Sequence, residues 1–154
     1  MTDSAMPPDA DLLAWVDRAS RGTLIERVGI EFVHVGPEEI SARMPVAGNT
    51  QPYGLLHGGA TVVLAETLGS VAAAIHAGPE RATVGIEVNA THHRAVRAGW
   101  VTGTTRIVHA GKTMCTVEIV VADESGGRVC TSRLTCLIRE RPPAQVEAGR
   151  TSWG

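Results

Sequence analysis

One stretch constrains the fold more than any other: residues 58 to about 76 or 77, which read as a helix that is apolar on nearly every side. Ala60, Val62, Val63, Leu64, Ala65, Leu68, Val71, Ala72, Ala73, Ala74 and Ile75 leave no wide polar face. Gly78-Pro79 stops it, as expected just past a helix C-terminus. A helix with this pattern must be enclosed by other elements. It would span ~30 Å at the usual rise per residue. Glu66, Thr67, Ser70, His76 and the glycines interrupt the run, so a buried soluble helix fits it better than a membrane span.

The flanking segments supply the enclosure. Residues 39–46 alternate, with Ile40, Ala42, Met44 and Val46 on one face, as a half-buried strand should. Residues 30–35 form a shorter strand before it, and 48–56 form a loop rich in Gly, Asn, Pro and Gln. After the helix, 83–91, 100–109, 113–122 and 128–140 are rich in Val, Ile and Thr. Ala110-Gly111 and the run from Asp123 to Gly127 read as hairpin turns. Residues 11–28 carry one or two short helices broken at Gly22. Two strands, a long helix and then four strands make an α+β domain, an antiparallel sheet curled around one central helix. The expected organisation is a leader at 1–10, a single domain at 11–141 and a disordered tail at 142–154.

Composition narrows the class. The chain has 154 residues, 44% of them hydrophobic and 19% charged, which suits one globular core. A formal net charge of -2 offers no broad footprint for nucleic acid or an anionic membrane. The cations are thirteen Arg and one Lys, so a phosphate-bearing ligand would be held by local Arg groups. The acidic start, with Asp3, Asp9 and Asp11, does not resemble a signal peptide. Cys130 and Cys136 fall on one strand, ~20 Å apart, beyond the reach of a disulfide. With Cys115 they read as free core thiols of a cytoplasmic protein.

The chemistry concentrates on the long helix. Glu66 is its only acid, Ser70 shares its face one turn later, and Thr67 sits beside them. On an ordinary amphipathic helix such a Glu points to solvent. Here the polar stripe is too narrow for that, and burial would raise the carboxyl pKa toward the useful range for acid–base work. The helix start, His57-Gly58-Gly59, presents unpaired N–H groups that could polarise a carbonyl, or it could simply turn tightly. Eight residues separate Gly58 from Glu66, ~12 Å along the axis. One carbonyl cannot meet both within a chain, which predicts a site shared across a two-fold dimer. Gln51 could donate to a substrate oxygen or be a polar loop residue. His57 could orient the loop, contact ligand or cap the helix. His92-His93 makes a poor metal pair, because neighbouring strand residues point to opposite faces.

These residues together resemble the hotdog thioesterases. The segment from Gln51 to Ala60, followed by Ala65-Glu66-Thr67-Leu68-Gly69-Ser70, is similar to the core motif of the 4-hydroxybenzoyl-CoA thioesterase group of the Arthrobacter type. That group extends to the 1,4-dihydroxy-2-naphthoyl-CoA, enterobactin-proofreading and PaaI-like thioesterases. The likeness runs from about residue 22 to 139 and includes Asn89 to Arg94, Gly111-Lys112-Thr113 and Thr131 to Thr135.

The resemblance implies hydrolysis of an acyl-CoA, with an aromatic acyl group. Glu66 would be nucleophile or general base, and the Gly58 N–H of the partner would polarise the thioester carbonyl. Gln51 and His57 would position the thioester, and Ser70 would place water or the acyl group. Coenzyme A contacts would come from Arg94, Lys112 and Thr113, with His92 and Arg133 as further candidates. The resemblance also implies a homotetramer built as a dimer of dimers, with no metal and no cofactor beyond the coenzyme A of the substrate. A hotdog hydratase or dehydratase would carry a Phe-Pro-Gly or Asp-x4-His type signature, which this chain lacks. A non-catalytic acyl-CoA-binding module would have no use for Glu66 on an apolar helix.

Overall fold

A computed structural model describes residues 11–140. The expected leader and tail at 1–10 and 142–154 lie outside the described residues. The elements are α1 (Leu12–Ser20), α2 (Leu24–Arg27), β1 (Glu31–Val35), β2 (Ile40–Pro45), α3 (Gly58–Ala77), β3 (Arg81–His92), β4 (Trp100–Ala110), β5 (Met114–Asp123) and β6 (Arg128–Glu140). The two short helices begin on Asp11 and Thr23, whose side chains accept from the Ala14 and Ile25 N–H groups as N-caps do.

Six strands form one antiparallel sheet in the order β1-β2-β4-β5-β6-β3. The last four strands do not simply follow one another. β3, laid down directly after the helix, pairs with β6 at the end of the domain, and so becomes an edge. β4, β5 and β6 form the meander expected from the Val, Ile and Thr runs.

α3 lies across the concave face and packs on β2 through β6. Leu64, Ala65 and Leu68 are fully buried beside Ile119, Val117 and Leu134 of the sheet. The approach is close. A Cβ on Gly69 would come within 2.6 Å of Leu134 Cδ2, so only a glycine fits at that helix–sheet contact. By length and composition α3 could cross a membrane, but its buried side is the core of the domain.

The helix is not enclosed all round by its own chain. Thr61, Leu64, Ala65, Leu68, Gly69, Ala72 and Ala73 are buried against the sheet. Val62, Val63, Glu66, Thr67, Ser70, Val71, Ala74 and Ile75 are only half-buried. A single six-stranded sheet covers one side of a helix, and the second stripe, mostly apolar, carries Glu66.

Candidate active site

Two separate groups of residues surround α3. The first sits at its N-terminus. The loop before the helix is tied down by Asn49, whose Nδ2 donates to the Val28 carbonyl at 2.7 Å and the Pro45 carbonyl at 2.9 Å. The His57 N–H returns to the Asn49 carbonyl, and the Leu56 N–H reaches the Val96 carbonyl. Within this frame Gln51 makes a tight turn. Its Oε1 accepts from the Tyr53 N–H at 2.8 Å, which leaves the Nε2 hydrogens to donate elsewhere.

His57 is the N-cap of α3. Its Nδ1 accepts from the Gly59 N–H at 2.8 Å, and its carbonyl accepts from the Thr61 N–H. Of the alternatives open from sequence, the capping one is therefore realised. The Gly58 N–H, one residue inside the helix, meets no acceptor among the described residues.

A cleft of about 360 Å³ opens at this point, lined by Gln51, Leu56, Gly58, Thr61, His92, His93 and Arg94 with their neighbours. A Cβ on Gly58 would stand 2.9 Å from His92 Nε2, so the imidazole closes directly over the helix start. His93 lines the cleft as well, with its Nε2 bonded to the Thr131 hydroxyl at 2.9 Å. Arg94 lies 3.6 Å from Asp123 and remains more than half exposed. Asp123 is held below the usual carboxylate range by the Ser125 hydroxyl and the Gly127 and Ser125 N–H groups, with a smaller contribution from Arg94. The cleft thus presents N–H donors, two imidazoles and a guanidinium, a set suited to a carbonyl and to phosphate oxygens.

The second group lies two turns along the helix. Glu66 faces β3 at Gly85, where a Cβ would fall 2.5 Å from Oε1. The strand bulges there, since pairing with β6 shifts between Gly85 and Glu87. Burial pushes the Glu66 carboxyl above its ordinary value, and a hydrogen bond from Ser70 partly offsets this. Across from Gly85 on β6 is Cys136, fully buried. Burial, then the Glu66 charge, then Cys115 push its thiol up to about 11.

Gln51, Gly58, His92 and Arg94 therefore converge on the cleft, and His57 caps the helix beside it. Glu66 and Ser70 do not line that cleft. Lys112 and Thr113 lie on the β4–β5 hairpin, at the far end of α3, where His76 Nε2 meets the Gly111 carbonyl at 3.1 Å. Arg133 is exposed, paired in register with Asn89 and Glu118 on the outer face of the sheet. Thr61 and His93 of the cleft, and Gly85 and Cys136 beside Glu66, escaped the sequence reading. A lone glycine inside a strand pattern hints at a bulge. No local signal marks Cys136.

The arrangement has relatives. The Thioesterase superfamily profile matches residues 53–130. The proofreading thioesterase EntH of Cronobacter turicensis is 46% identical over 124 residues, 80% of this chain and 90% of its own. Among solved structures, a thioesterase from Haemophilus influenzae superposes with a TM-score of 0.84 at 32% identity, covering 89% of this chain and 96% of its own. A Pseudomonas aeruginosa thioesterase, solved as a glutamine-to-alanine mutant, gives 0.82 at 34% identity, covering 90% and 100%. The sheet laid around one helix, the carboxyl raised by burial on that helix and these likenesses lead to one conclusion: the chain is a hotdog-fold thioester hydrolase of the Thioesterase superfamily.

Proposed function

We propose that the protein hydrolyses an aromatic acyl-CoA, of the hydroxybenzoyl or dihydroxynaphthoyl kind, at a site shared between two protomers. The observation that carries this reading is the separation of the two residue groups. Gly58 and its donors line a cleft that Glu66 does not reach, and eight residues of helix put them ~12 Å apart. Each group lacks what the other has.

A two-fold dimer through β3 completes the site. β3 is a long edge strand with Val84 and Ile86 each 55% exposed, and such an edge invites pairing with a second copy. Glu66 lies directly behind that edge, at Gly85. The apolar, half-buried stripe of α3 gains cover in the same assembly. Pairing of two such dimers gives the expected homotetramer, and three reduced thiols suit the cytoplasm.

In this site the partner's Gly58 N–H binds the thioester oxygen and stabilises the negative charge that develops there. Gln51 Nε2 donates to the same region. The ionised Glu66 takes a proton from water as the oxygen attacks the carbonyl carbon, or attacks that carbon itself and forms a mixed anhydride that water then cleaves. By either route the C–S bond breaks, the thiol of coenzyme A leaves, and the carboxylic acid is released. His92 and Arg94 hold phosphate or pantetheine oxygens at the cleft mouth. Lys112, Thr113 and Arg133, distant from the cleft in one chain, contact the coenzyme only through the assembly.

The test is thiol release from benzoyl-, hydroxybenzoyl-, dihydroxynaphthoyl-, phenylacetyl- and straight-chain acyl-CoAs. Aromatic members should show the highest kcat/KM, and Glu66→Gln should lower kcat by at least ~10²-fold. Near-full activity of that variant would remove Glu66 from the mechanism. A preference for straight chains would remove the aromatic substrate.

A further inference from the structure

Arg94 lies just past the end of β3, and a different part of the sheet holds its guanidinium. The His93 and Arg94 N–H groups both reach the Val129 carbonyl, at 2.8 and 3.4 Å, so the chain here runs beside the start of β6. The turn that joins β5 to β6, residues 123–127, therefore comes up against the Arg94 side chain.

Two residues of that turn meet the guanidinium. A Cβ on Gly127 would stand 2.8 Å from Cζ and Nη1 and 3.1 Å from Nη2, so the guanidinium lies directly against the glycine. Asp123 supplies the charge. Its Oδ1 is taken up within the turn, accepting from the Ser125 N–H at 3.0 Å, the Ser125 hydroxyl at 2.6 Å and the Gly127 N–H at 2.9 Å. Its Oδ2 faces Arg94 Nη1 at 3.6 Å. Glu124, the next acid, turns instead to the Trp100 N–H at 3.3 Å. The Asp123 side chain is 17% exposed and that of Arg94 55%, so the acid is the fixed partner and the guanidinium the presented one.

We propose that Asp123 and Gly127 are positioning residues for Arg94: the turn seats the guanidinium across the cleft mouth, ready for the phosphate oxygens of the substrate. The inference rests on the reading of Arg94 as a coenzyme A contact. A free arginine samples many rotamers, and an anion that binds it must pay for freezing them. Here the glycine surface and the fixed carboxylate restrict them beforehand. A guanidinium has five N–H donors. The Asp123 contact engages Nη1, which leaves Nη2 and Nε to a second anion. Neither Asp123 nor Gly127 lines the cleft, so both act through Arg94 alone.

The experiment compares hydrolysis of benzoyl-CoA with that of benzoyl-N-acetylcysteamine, which keeps the thioester and lacks the phosphates. The variants are Asp123→Asn, Gly127→Ala, Arg94→Ala and Asp123→Asn combined with Arg94→Ala, with thermal melts to confirm folding. Asparagine keeps the Oδ1 acceptor that the turn needs and sets an uncharged amide toward Arg94. Gly127 does not adopt a positive φ, so alanine there displaces the end of a flexible side chain without backbone strain. Should either variant not fold, the other carries the test. Each should raise KM for benzoyl-CoA about fivefold, the scale of one part-exposed ion pair, with kcat within about twofold. Each should leave kcat/KM for the short thioester within about twofold of the wild type. Arg94→Ala should raise KM for benzoyl-CoA at least ~tenfold, and adding Asp123→Asn to it should raise KM no further.

A wild-type KM for benzoyl-CoA in both single variants overturns the proposal. An equal loss on both thioesters does so too, since it marks a merely structural turn. So does an additive effect in the double variant, which would have Asp123 acting apart from Arg94. If Arg94→Ala raises KM while Asp123→Asn and Gly127→Ala behave as wild type, the positioning inference alone fails. If Arg94→Ala itself keeps the wild-type KM, the reading of Arg94 beneath it fails.

Discussion

Glu66 carries a cost in stability, which the proposed mechanism accounts for by its chemistry. Its folded pKa lies above the ordinary 4.5 because burial disfavours the charge. Between the unfolded and folded values the native chain binds more protons, so stability falls as pH rises through that window, and the deficit persists at higher pH. Glu66→Gln should therefore melt at a higher temperature than the wild type at pH 7, with a smaller loss between pH 4 and pH 7. Differential scanning calorimetry at both values checks this. A lower melting temperature for the variant at pH 7 would show that the ionised carboxyl is well solvated or well paired. The same shift sets the activity profile. In the proposed mechanism the ionised form is the working one, so kcat/KM should rise with pH through a midpoint above the ordinary glutamate range. Glu66 was legible in the sequence because it is the single acid on an apolar helix. Gly85 and Cys136 were not, since what makes them its neighbours is the pairing of strands far apart in the chain.

The helix and its N-terminal loop behave as one element. The bounds of α3, Gly58–Ala77, follow from signals within the sequence: His57 caps one end, and Gly78, with φ of 82°, closes the other. Its two stripes were not legible. Valine and alanine occupy both the sheet-facing and the half-buried side, so hydrophobicity has no helical period although burial does. The loop is held by Asn49 through two bonds to backbone carbonyls. Asn49→Ala should cost about 1–3 kcal/mol, because both acceptors lose their donor. That is a fall in Tm of several degrees for a domain of this size. KM should rise as well, since Gln51 and Gly58 are presented by this loop. A melt and a KM both like the wild type would show the loop to be held by its backbone bonds alone.

For the whole molecule, the separation of donor cleft and carboxyl predicts complementation. Glu66→Gln and Gly58→Val should each be inactive alone. Co-expressed, they form mixed dimers in which one of the two sites has both intact groups. Random pairing under two-fold symmetry should then recover about a quarter of wild-type activity. No recovery in dimers shown by mass to be mixed would place both groups in one protomer. Charged residues at the exposed edge provide the converse. Val84→Lys with Ile86→Lys should give a monomer by sedimentation, with turnover reduced by at least ~10²-fold.

The sequence alone determined the inventory and the order of elements. Alternation, turn residues and one long apolar helix are local patterns, and local patterns suffice for an α+β hotdog domain with Glu66, Gly58 and Gln51 as its candidate chemistry. The tertiary structure decided which of these meet. Sheet order β1-β2-β4-β5-β6-β3 brings the strand after the helix beside the last one. That pairing sets Gly85 and Cys136 around the carboxyl, closes His92 over Gly58, and leaves Lys112 and Arg133 away from the cleft. The physical reason is that strand pairing joins backbone groups distant in sequence, so which strands become neighbours depends on how the whole sheet closes over the helix and not on any residue's nearest neighbours.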